Sequence, residues 1–258
     1  MTTSDWNPAL YDRFADERER PSRELLARVP LSNPGRIVDL GCGSGLSTQP
    51  LVDRYPTASV LGIDTSPAMI EKARGTVSGA EFALGDVATW VPDEPVDLLF
   101  ANAVLQWLPD HESLLPRLVS LLAPGGVLAV QMPDNLEEPS HRGMRDAALQ
   151  GPWTTKLAAA QGARTELLSV QKTYDRLVGQ CRMIDLWTTT YNHVMDGHAG
   201  IIDWFRSTGL RPYLDPLDAD ERDCYLKAYR ARLEDTYPVQ SDGKVLLQFP
   251  RRFMVVVK

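Results

Sequence analysis

The sequence has few cysteines and histidines and lacks a long apolar run. Its 258 residues include three cysteines, at positions 42, 181 and 224, and no CxxC pair. This argues against a disulfide framework and a cysteine zinc site, and the four histidines lack metal-ligand spacing, so we expect no metal. No stretch reaches the roughly 20 apolar residues of a membrane span, and residues 1–8 lack the features of a secretion signal. We expect a cytoplasmic protein without a membrane partner.

Positive charge is also scarce. The 27 lysines and arginines are outnumbered by 34 acidic residues, which gives a net charge of -7. Because nucleic-acid binding needs a clustered positive surface, we expect no nucleic-acid partner. A small anion remains a compatible ligand, since a few arginines can concentrate positive charge locally. We infer no obligate protein partner.

What the sequence does contain is a regular alternation of short β-branched runs and helical stretches from position 36 onward. This alternation is typical of βαβ units around a parallel sheet that helices cover on both faces. Helices are predicted at 46–54, 67–74 and 111–122 from apolar spacing and capping residues. The predicted strands are 36–40, 58–64, 80–86, 96–103 and 127–132.

The pattern changes after Pro133. Two further strands are predicted at 183–193 and 253–257, with a helical insertion at about 197–240 between them. We interpret the chain as one domain over 1–258, with a helical N-terminal segment at 1–30 that covers the site. Residues 34–133 form its βαβ core, and 134–258 form a C-terminal part that includes the insertion.

A glycine-rich loop, with Gly41, Gly43 and Gly45, follows the first predicted strand. An open α/β sheet binds its ligand where a strand ends and a helix begins. Glycines there permit a tight turn and a close approach of the ligand to the backbone. The dinucleotide fingerprint requires glycine at position 46, which is Leu46, so a nicotinamide oxidoreductase is disfavoured. A tight strand-to-helix turn without a ligand is the alternative.

Acidic residues end the next two predicted strands. Asp64 lies 23 residues after Gly41, where a carboxylate can accept both hydroxyls of a ribose. Asp86 closes the third strand and Val87 follows it. Each aspartate is alternatively a turn or helix-cap residue. A loop and two aspartates at successive strand ends are much less common by chance.

The loop spacing resembles the first motif of class I methyltransferases, whose methyl donor is S-adenosylmethionine and whose product is S-adenosylhomocysteine. This resemblance implies a Rossmann-like fold with a seven-stranded, mostly parallel sheet. It also implies that the loop holds the methionine part of the donor and that Asp86 and Val87 contact its adenine. The predicted donor-binding residues are Asp39, Gly41, Gly43, Gly45, Asp64, Ser66, Asp86, Val87 and Asn102.

Stretches outside these motifs resemble the trans-aconitate 2-methyltransferase family nearly end to end. The donor motifs are shared by many methyltransferases, whereas the N-terminal segment and the last third are specific to this family. The resemblance implies esterification of one carboxylate of trans-aconitate, an unsaturated tricarboxylate. Residues 150–172 depart from the family pattern and receive no role. The segments that carry the resemblance include 5–8, 18–21, 62–70, 100–111, 127–135, 187–191, 201–204, 208–212 and 249–251.

A carboxylate acceptor needs no catalytic base, because it is already ionised at neutral pH. The protein must align it with the methyl group and exclude water. Three negative charges on the acceptor require local positive groups, for which the planar arginine side chain is best suited. Each candidate alternatively pairs with nearby acidic residues on a solvated helix. The candidate arginines are Arg18, Arg20, Arg211 and Arg251.

Further side chains are candidates for the reacting centre. Tyr11 is predicted to direct its hydroxyl at donor or acceptor, Gln106 to donate a hydrogen bond to the acceptor, and Trp107 to form a wall. His111 either touches an acceptor carboxylate or packs at the start of a helix. Trp204 either lines the acceptor pocket from the insertion or belongs to the core.

Two other functions remain open. A methyltransferase for another small carboxylate or for a hydroxyl acceptor fits the donor motifs equally well. A hydroxyl acceptor needs a general base, for which only His111 is a candidate. A non-catalytic sensor that binds the donor is the second alternative, and donor binding without turnover distinguishes it.

Overall fold

The computed structural model describes residues 15–162, 164, 166–206 and 208–258. Seven strands form one sheet, in the order β3-β2-β1-β4-β5-β7-β6. This confirms the predicted seven-stranded sheet. The strands are β1 (Arg36–Leu40), β2 (Ser59–Asp64), β3 (Glu81–Leu84), β4 (Val96–Asn102), β5 (Leu122–Pro133), β6 (Met183–Met195) and β7 (Val245–Val257).

Helices follow β1, β2 and β4, the residues between β3 and β4 form no helix, and helices dominate the later part of the chain. Short 3-10 turns at Leu105–Trp107 and Ala158–Gly162 add to them. No helix of the described ranges is long and apolar enough to cross a membrane. The α-helices are α1 (Ala15–Ala27), α2 (Thr48–Arg54), α3 (Pro67–Thr76), α4 (His111–Ser120), α5 (Pro139–Ala148), α6 (Val170–Leu177), α7 (Gly197–Arg206), α8 (Arg211–Leu214) and α9 (Ala219–Thr236).

The strand order creates a switch point between β1 and β4. The chain builds β2 and then β3 on one side of β1, and afterwards places β4 and β5 on the other side. The pairs β1–β2, β2–β3, β1–β4 and β4–β5 are all parallel. The carboxyl ends of these strands therefore share one edge. Ligands of open α/β sheets bind at such an edge, beside the switch point.

The chain divides into two compact units. Among the described residues, the sheet unit comprises 18–133, 166–189 and 252–258, and the helical unit comprises 15–17, 134–162, 164, 190–206 and 208–251. Strands β6 and β7 contribute residues to both units. The interpretation of the whole chain as one domain stays a prediction.

Apolar side chains of the central strands and of α4 form the core of the sheet unit. Leu99, Leu128 and Val130 are buried in it together with Leu115 and Leu118 of α4. The spacing of the leucines puts one face of α4 on the sheet, as its amphipathic pattern predicts. This packing holds the carboxyl edge of the sheet in a fixed register.

Helix α9 organises the helical unit. Its Tyr225, Tyr229 and Leu233, spaced by four residues, are all buried. The Tyr225 hydroxyl donates to the carbonyl of Met144 in α5 at 3.1 Å. Asp218 begins α9 with a capping box, in which its side chain and that of Glu221 each accept a backbone N–H. Helices α7, α8 and α9 confirm the predicted helical insertion.

Some predicted boundaries are wrong for local reasons. Strand β3 ends at Leu84, because Asp86 accepts the Ala88 N–H at 2.9 Å and turns the chain. Strand β5 begins at Leu122 and includes the Pro-Gly-Gly sequence, where its pairing with β4 is irregular. Strand β7 begins at Val245, eight residues before the predicted 253. Its first half alternates buried and exposed residues, a weaker signal than the apolar second half.

Candidate active site

The three loop glycines lie at the end of β1 and all have positive φ, at 65°, 55° and 88°. A side chain on Gly41 would overlap Val104, which follows β4, and one on Gly45 would come within 2.6 Å of Val77. A side chain on Gly43 would meet no atom within 4 Å. Gly41 and Gly45 are therefore required for packing. Gly43 instead presents its backbone to open space at the switch point.

Asp64 braces this loop from the end of β2. Its Oδ2 accepts the Gly43 N–H at 3.0 Å, and its Oδ1 accepts the Ser66 N–H at 2.8 Å. The side chain stays partly exposed, so it retains acceptor capacity for a ligand hydroxyl. Ser66 caps α3 by accepting the Met69 N–H at 3.4 Å. Asp64 thus joins the glycine loop to the start of the next helix.

Asp39 is a fully buried acid immediately before the loop. Its Oδ2 accepts the hydroxyls of Ser47 and Thr48 at 2.8 and 2.7 Å. Its Oδ1 is buried and has no hydrogen-bond partner among the described residues. Burial raises the pKa of Asp39 to about 6, with a smaller contribution from Asp64, although the two hydroxyls favour the ionised form. Asp39 Oδ1 is therefore a hydrogen-bond acceptor beside the glycine loop.

Beyond β3, Asp86 is exposed while Val87 is buried. The carbonyl of Val87 accepts a hydrogen bond from Arg117 of α4, which fixes this turn. The predicted contacts of Asp86 and Val87 with adenine stay predictions. The turn nevertheless holds both residues just beyond the carboxyl end of β3.

A hydrogen-bonded network shapes the segment after β4. Gln131 of β5 donates its side-chain amide to Asn102 Oδ1 at 2.6 Å, and its backbone carbonyl accepts the Ala103 N–H at 2.9 Å. Ala103 has a φ of 55°, which is unusual for a residue with a side chain. Gln106 donates its amide to the Ala103 carbonyl at 2.6 Å. The two glutamines therefore hold this turn in its left-handed conformation.

Three predicted reacting-centre residues lie on this segment. Trp107 is 46% exposed, as a wall residue requires, whereas Gln106 and His111 are buried. The Gln106 amide already serves Ala103, and its Oε1 has no partner among the described residues. His111 Nε2 lies 2.8 Å from the Leu105 carbonyl and must donate to it. This contact fits packing at the start of α4, and the catalytic roles stay predictions.

The candidate arginines differ in environment. Arg20 pairs with Glu24 at 2.8 Å with 66% of its side chain exposed, and Arg211 lies 3.7 Å from Asp215 on the exposed start of α8. Arg251 is buried, with its guanidinium carbon 4.8 Å from the centre of the Phe249 ring. It lies inside β7. Of these three candidates, Arg251 is thus buried, whereas Arg20 and Arg211 are exposed to solvent.

Trp204 belongs to the core of the helical unit. Its ring lies 4.5 Å from that of His193 and 5.6 Å from that of Phe249, measured between centroids. This burial agrees with the core alternative, and a contact with the acceptor stays a prediction. Tyr11 lies outside the described residues. Arg18 lies on α1, but its side chain is outside the described part of the chain.

The sequence analysis missed Gln131 and a polar cluster in the helical unit. Gln131 is the one polar side chain in the apolar run 127–132, a signal that could have identified it. The polar cluster consists of Asn135, His141 and Arg164. Arg164 Nη1 donates to Asn135 Oδ1 at 2.8 Å and lies 3.3 Å from His141 Nε2. No local pattern indicates that Arg164 reaches residues so far away in the chain.

Known proteins resemble both the sequence and the fold. A methyltransferase domain family matches residues 37–126. Trans-aconitate 2-methyltransferase of Methylobacterium nodulans is 57% identical, over 98% of each chain, and that of Methylobacterium radiotolerans is 55% identical, over 99% of each. The YcgJ protein of Bacillus subtilis superposes with a TM-score of 0.61 at 13% identity, over 93% of this chain and 98% of its own. Phosphoethanolamine N-methyltransferase 2 of Haemonchus contortus, solved with S-adenosyl-L-methionine, superposes with a TM-score of 0.54 at 16% identity. The superposition covers 93% of this chain and 52% of that chain.

The domain match spans the glycine loop and the strands on both sides of the switch point. The sheet order and the glycine loop are those of the class I methyltransferase fold, and relatives more than 50% identical over almost the entire chain make the protein a class I methyltransferase. The domain match alone is common to many enzymes, whereas identity above 50% over almost the entire chain is far more specific. The chain belongs to the trans-aconitate 2-methyltransferase family.

Proposed function

We propose that the protein transfers a methyl group from S-adenosylmethionine to one carboxylate of trans-aconitate. The products are the monomethyl ester and S-adenosylhomocysteine. The observation that carries this proposal is the 57% identity with a trans-aconitate 2-methyltransferase over 98% of both chains. A cytoplasmic location, and the lack of nucleic-acid, membrane or obligate protein partners, stay predictions from composition.

The donor-binding residues fit the donor chemically. The backbone at Gly43 borders open space, so a ligand can approach it where a side chain would intrude. The buried Oδ1 of Asp39 suits the ammonium group of a methionine moiety, since it is an acceptor at the loop. The partly exposed carboxylate of Asp64 suits a ribose. Asp86, Val87 and Asn102 complete the proposed donor site, and Ser66 supports it as the cap of α3.

The donor supplies an electrophilic methyl group, which the acceptor carboxylate attacks while the C–S electron pair leaves to sulfur. The protein need not remove a proton, because the carboxylate is ionised at neutral pH. His111 is buried and donates its Nε2–H to the Leu105 carbonyl, a contact that fits packing at the start of α4. Alignment and exclusion of water then become the main tasks of the chain.

The acceptor-binding assignments are proposals of unequal weight. Trp107 has the exposure of a wall residue, and Arg251 is a buried cation suited to a carboxylate. Gln106 contributes mainly by holding Ala103 in place. Tyr11, Arg18, Arg20, Arg211, Trp204 and His111 stay in the proposed acceptor site as predictions from sequence.

The test is to incubate the purified protein with S-adenosylmethionine and one of trans-aconitate, cis-aconitate, citrate or isocitrate. Mass spectrometry then detects the methyl ester. We expect ester chiefly from trans-aconitate. Ester formed chiefly from a different acid would contradict trans-aconitate as the acceptor, but it would leave the assignment to the methyltransferase class intact. Bound donor without ester from any acid would support a donor-binding sensor instead.

A further inference from the structure

Gln131 is a polar residue near the end of an otherwise apolar part of β5. It is fully buried, and the residues before it, Leu128, Ala129 and Val130, are buried and apolar. Burying a carboxamide costs free energy unless hydrogen bonds replace those made with water. Its backbone carbonyl accepts the Ala103 N–H, a bond that any residue at position 131 would make. The left-handed turn at Ala103 therefore does not require a glutamine side chain here.

The side chain of Gln131 is directed at Asn102. The two residues are register partners in the parallel pair of β4 and β5, so their side chains project from the same face of the sheet. Gln131 Nε2 donates to Asn102 Oδ1 at 2.6 Å. Because this contact engages the oxygen of Asn102, the Nδ2 group and its two N–H donors point away from Gln131. Asn102 is only partly buried, and its Nδ2 has no hydrogen-bond partner among the described residues.

Asn102 lies at the same level of the sheet as the glycine loop. Leu40 and Ala101 are paired in register, so the residues that follow them, Gly41 and Asn102, adjoin at the carboxyl edge. The segment after Asn102 packs onto the loop, since a side chain on Gly41 would overlap Val104. Asn102 therefore borders the loop that is proposed to hold the methionine part of the methyl donor.

Asp39 and Asn102 are chemically complementary. Asp39 is the register partner of Phe100, and Asn102 follows two residues later, so Asp39 and Asn102 project from the same face of the sheet. Asp39 offers a buried carboxylate oxygen with no partner among the described residues, whereas Asn102 offers two N–H groups. An amino acid carries its ammonium and its carboxylate on one carbon atom, so the groups that bind them must be neighbours. The pair thus matches both charges of a methionine moiety.

We propose that Gln131 is a positioning residue, which orients the Asn102 carboxamide so that its N–H groups bind the methionine carboxylate of S-adenosylmethionine. This inference rests on the proposed function for the identity of the methyl donor. Without the hydrogen bond from Gln131, the carboxamide can adopt either of two orientations. Only one of them presents N–H groups to a carboxylate, and the other presents an oxygen that repels it. Fixing the amide in advance also reduces the conformational entropy lost on binding.

The experiment compares two ligands that differ only in this carboxylate. One is S-adenosylhomocysteine, and the other is S-adenosyl-3-thiopropylamine, in which a hydrogen atom replaces the carboxylate. Calorimetry measures both dissociation constants, and their ratio is the carboxylate preference. We expect the wild type to bind S-adenosylhomocysteine at least about tenfold more tightly, because a hydrogen bond to a charged group is stronger than one between neutral groups.

Two substitutions separate the roles of Gln131 and Asn102. Gln131→Met replaces the amide with an apolar side chain of similar length and keeps the backbone bond to Ala103. We expect it to lower the carboxylate preference about threefold, while the affinity for S-adenosyl-3-thiopropylamine stays within about twofold. Asn102→Asp keeps an oxygen for Gln131 but replaces the N–H groups with a second oxygen, and we expect it to lower the preference about tenfold or more.

A double-mutant cycle shows whether Gln131 acts through Asn102. Gln131→Met added to Asn102→Ala should leave the preference of Asn102→Ala unchanged, because no carboxamide remains to be oriented. Gln248→Met is the matched control, since Gln248 lies on β7 with an exposed side chain, and it should leave both affinities unchanged. Circular dichroism checks folding. Where Gln131→Met fails to fold, Gln131→Leu and Asn102→Asp decide the outcome.

The carboxylate preference distinguishes positioning from a purely structural role, in which Gln131→Met would weaken both ligands equally. That result, or a further loss of preference in the double variant, would overturn the inference. An unchanged preference with a lower affinity for trans-aconitate would also overturn it, and would assign Asn102 to the acceptor. Each of these results leaves the proposed function intact where the wild type forms the ester. A wild-type protein that binds neither ligand would overturn both.

Discussion

The two units of the molecule bury charge of opposite sign. The sheet unit buries the carboxyl group of Asp39 beside its glycine loop, whereas the helical unit buries the guanidinium of Arg251. The proposed ligands differ in the same way, since the methyl donor carries cationic groups and the acceptor is an anion. Each unit therefore matches one ligand electrostatically.

The largest effect is expected in the sheet unit, on the stability of the Gly41→Ala variant. In Gly41→Ala, the added carbon overlaps Val104 at a φ of 65°, so overpacking and left-handed strain combine. We expect the free energy of unfolding to fall by about 2 to 5 kcal/mol. Urea denaturation followed by circular dichroism measures this. Unchanged stability would contradict the packing role of Gly41.

Gly43→Val separates donor binding from folding. Because the new side chain meets open space, the fold should persist, while the affinity for S-adenosylhomocysteine falls more than about tenfold, equivalent to about 1.4 kcal/mol. Gly243→Val is the control, since Gly243 also has positive φ and open surroundings but lies in a turn before β7. Calorimetry on both variants distinguishes ligand exclusion from backbone strain. Equal affinities in the two variants would remove Gly43 from the donor site.

The buried acid and the buried base should respond to pH in opposite directions. The pKa of His141 is about 3 in the folded protein, so the unfolded chain binds more protons between pH 3 and 6.5 and stability rises with pH there. The pKa of Asp39 is about 6, so the folded protein binds more protons between pH 3.8 and 6 and stability falls with rising pH. Each slope is at most about 1.4 kcal/mol per pH unit.

Urea denaturation between pH 4 and 6 tests these opposite pH dependences of stability, by comparing the wild type with His141→Gln and with Asp39→Asn. Relative to His141→Gln, the wild type should become more stable as the pH rises. Relative to Asp39→Asn, it should become less stable over the same range. Parallel trends in the two comparisons would contradict the assigned protonation states.

The smallest effects are expected at the exposed arginines. Arg20→Gln and Arg211→Gln each remove a solvated ion pair between residues four apart in the chain and should change stability by less than about 0.5 kcal/mol. Thermal denaturation provides the check. Steady-state kinetics on the same variants tests their predicted role, because an acceptor-binding arginine raises the KM for trans-aconitate without changing donor affinity. An unchanged KM would remove that arginine from the acceptor site.

How much the sequence could predict differs between the two units. The strands and glycine loop of the sheet unit follow from local patterns, namely β-branched runs, a helix cap at Ser66 and glycines at a strand end. Arg164 could not be predicted, because its partners Asn135 and His141 are brought to it only by tertiary folding. Exposure likewise separates Arg251 from Arg20, although both are arginines in family-like segments. Burial of a charged side chain depends on contacts that no short segment contains.

The division of binding between the two units is tested most directly by one set of dissociation constants. Calorimetry measures the dissociation constant of S-adenosylhomocysteine, and that of trans-aconitate in its presence at saturation, with the wild type, Gly43→Val and Arg251→Gln. The account predicts that Gly43→Val weakens the affinity for S-adenosylhomocysteine, whereas Arg251→Gln weakens only the affinity for trans-aconitate. Loss of S-adenosylhomocysteine affinity in Arg251→Gln, or its full retention in Gly43→Val, would contradict the account.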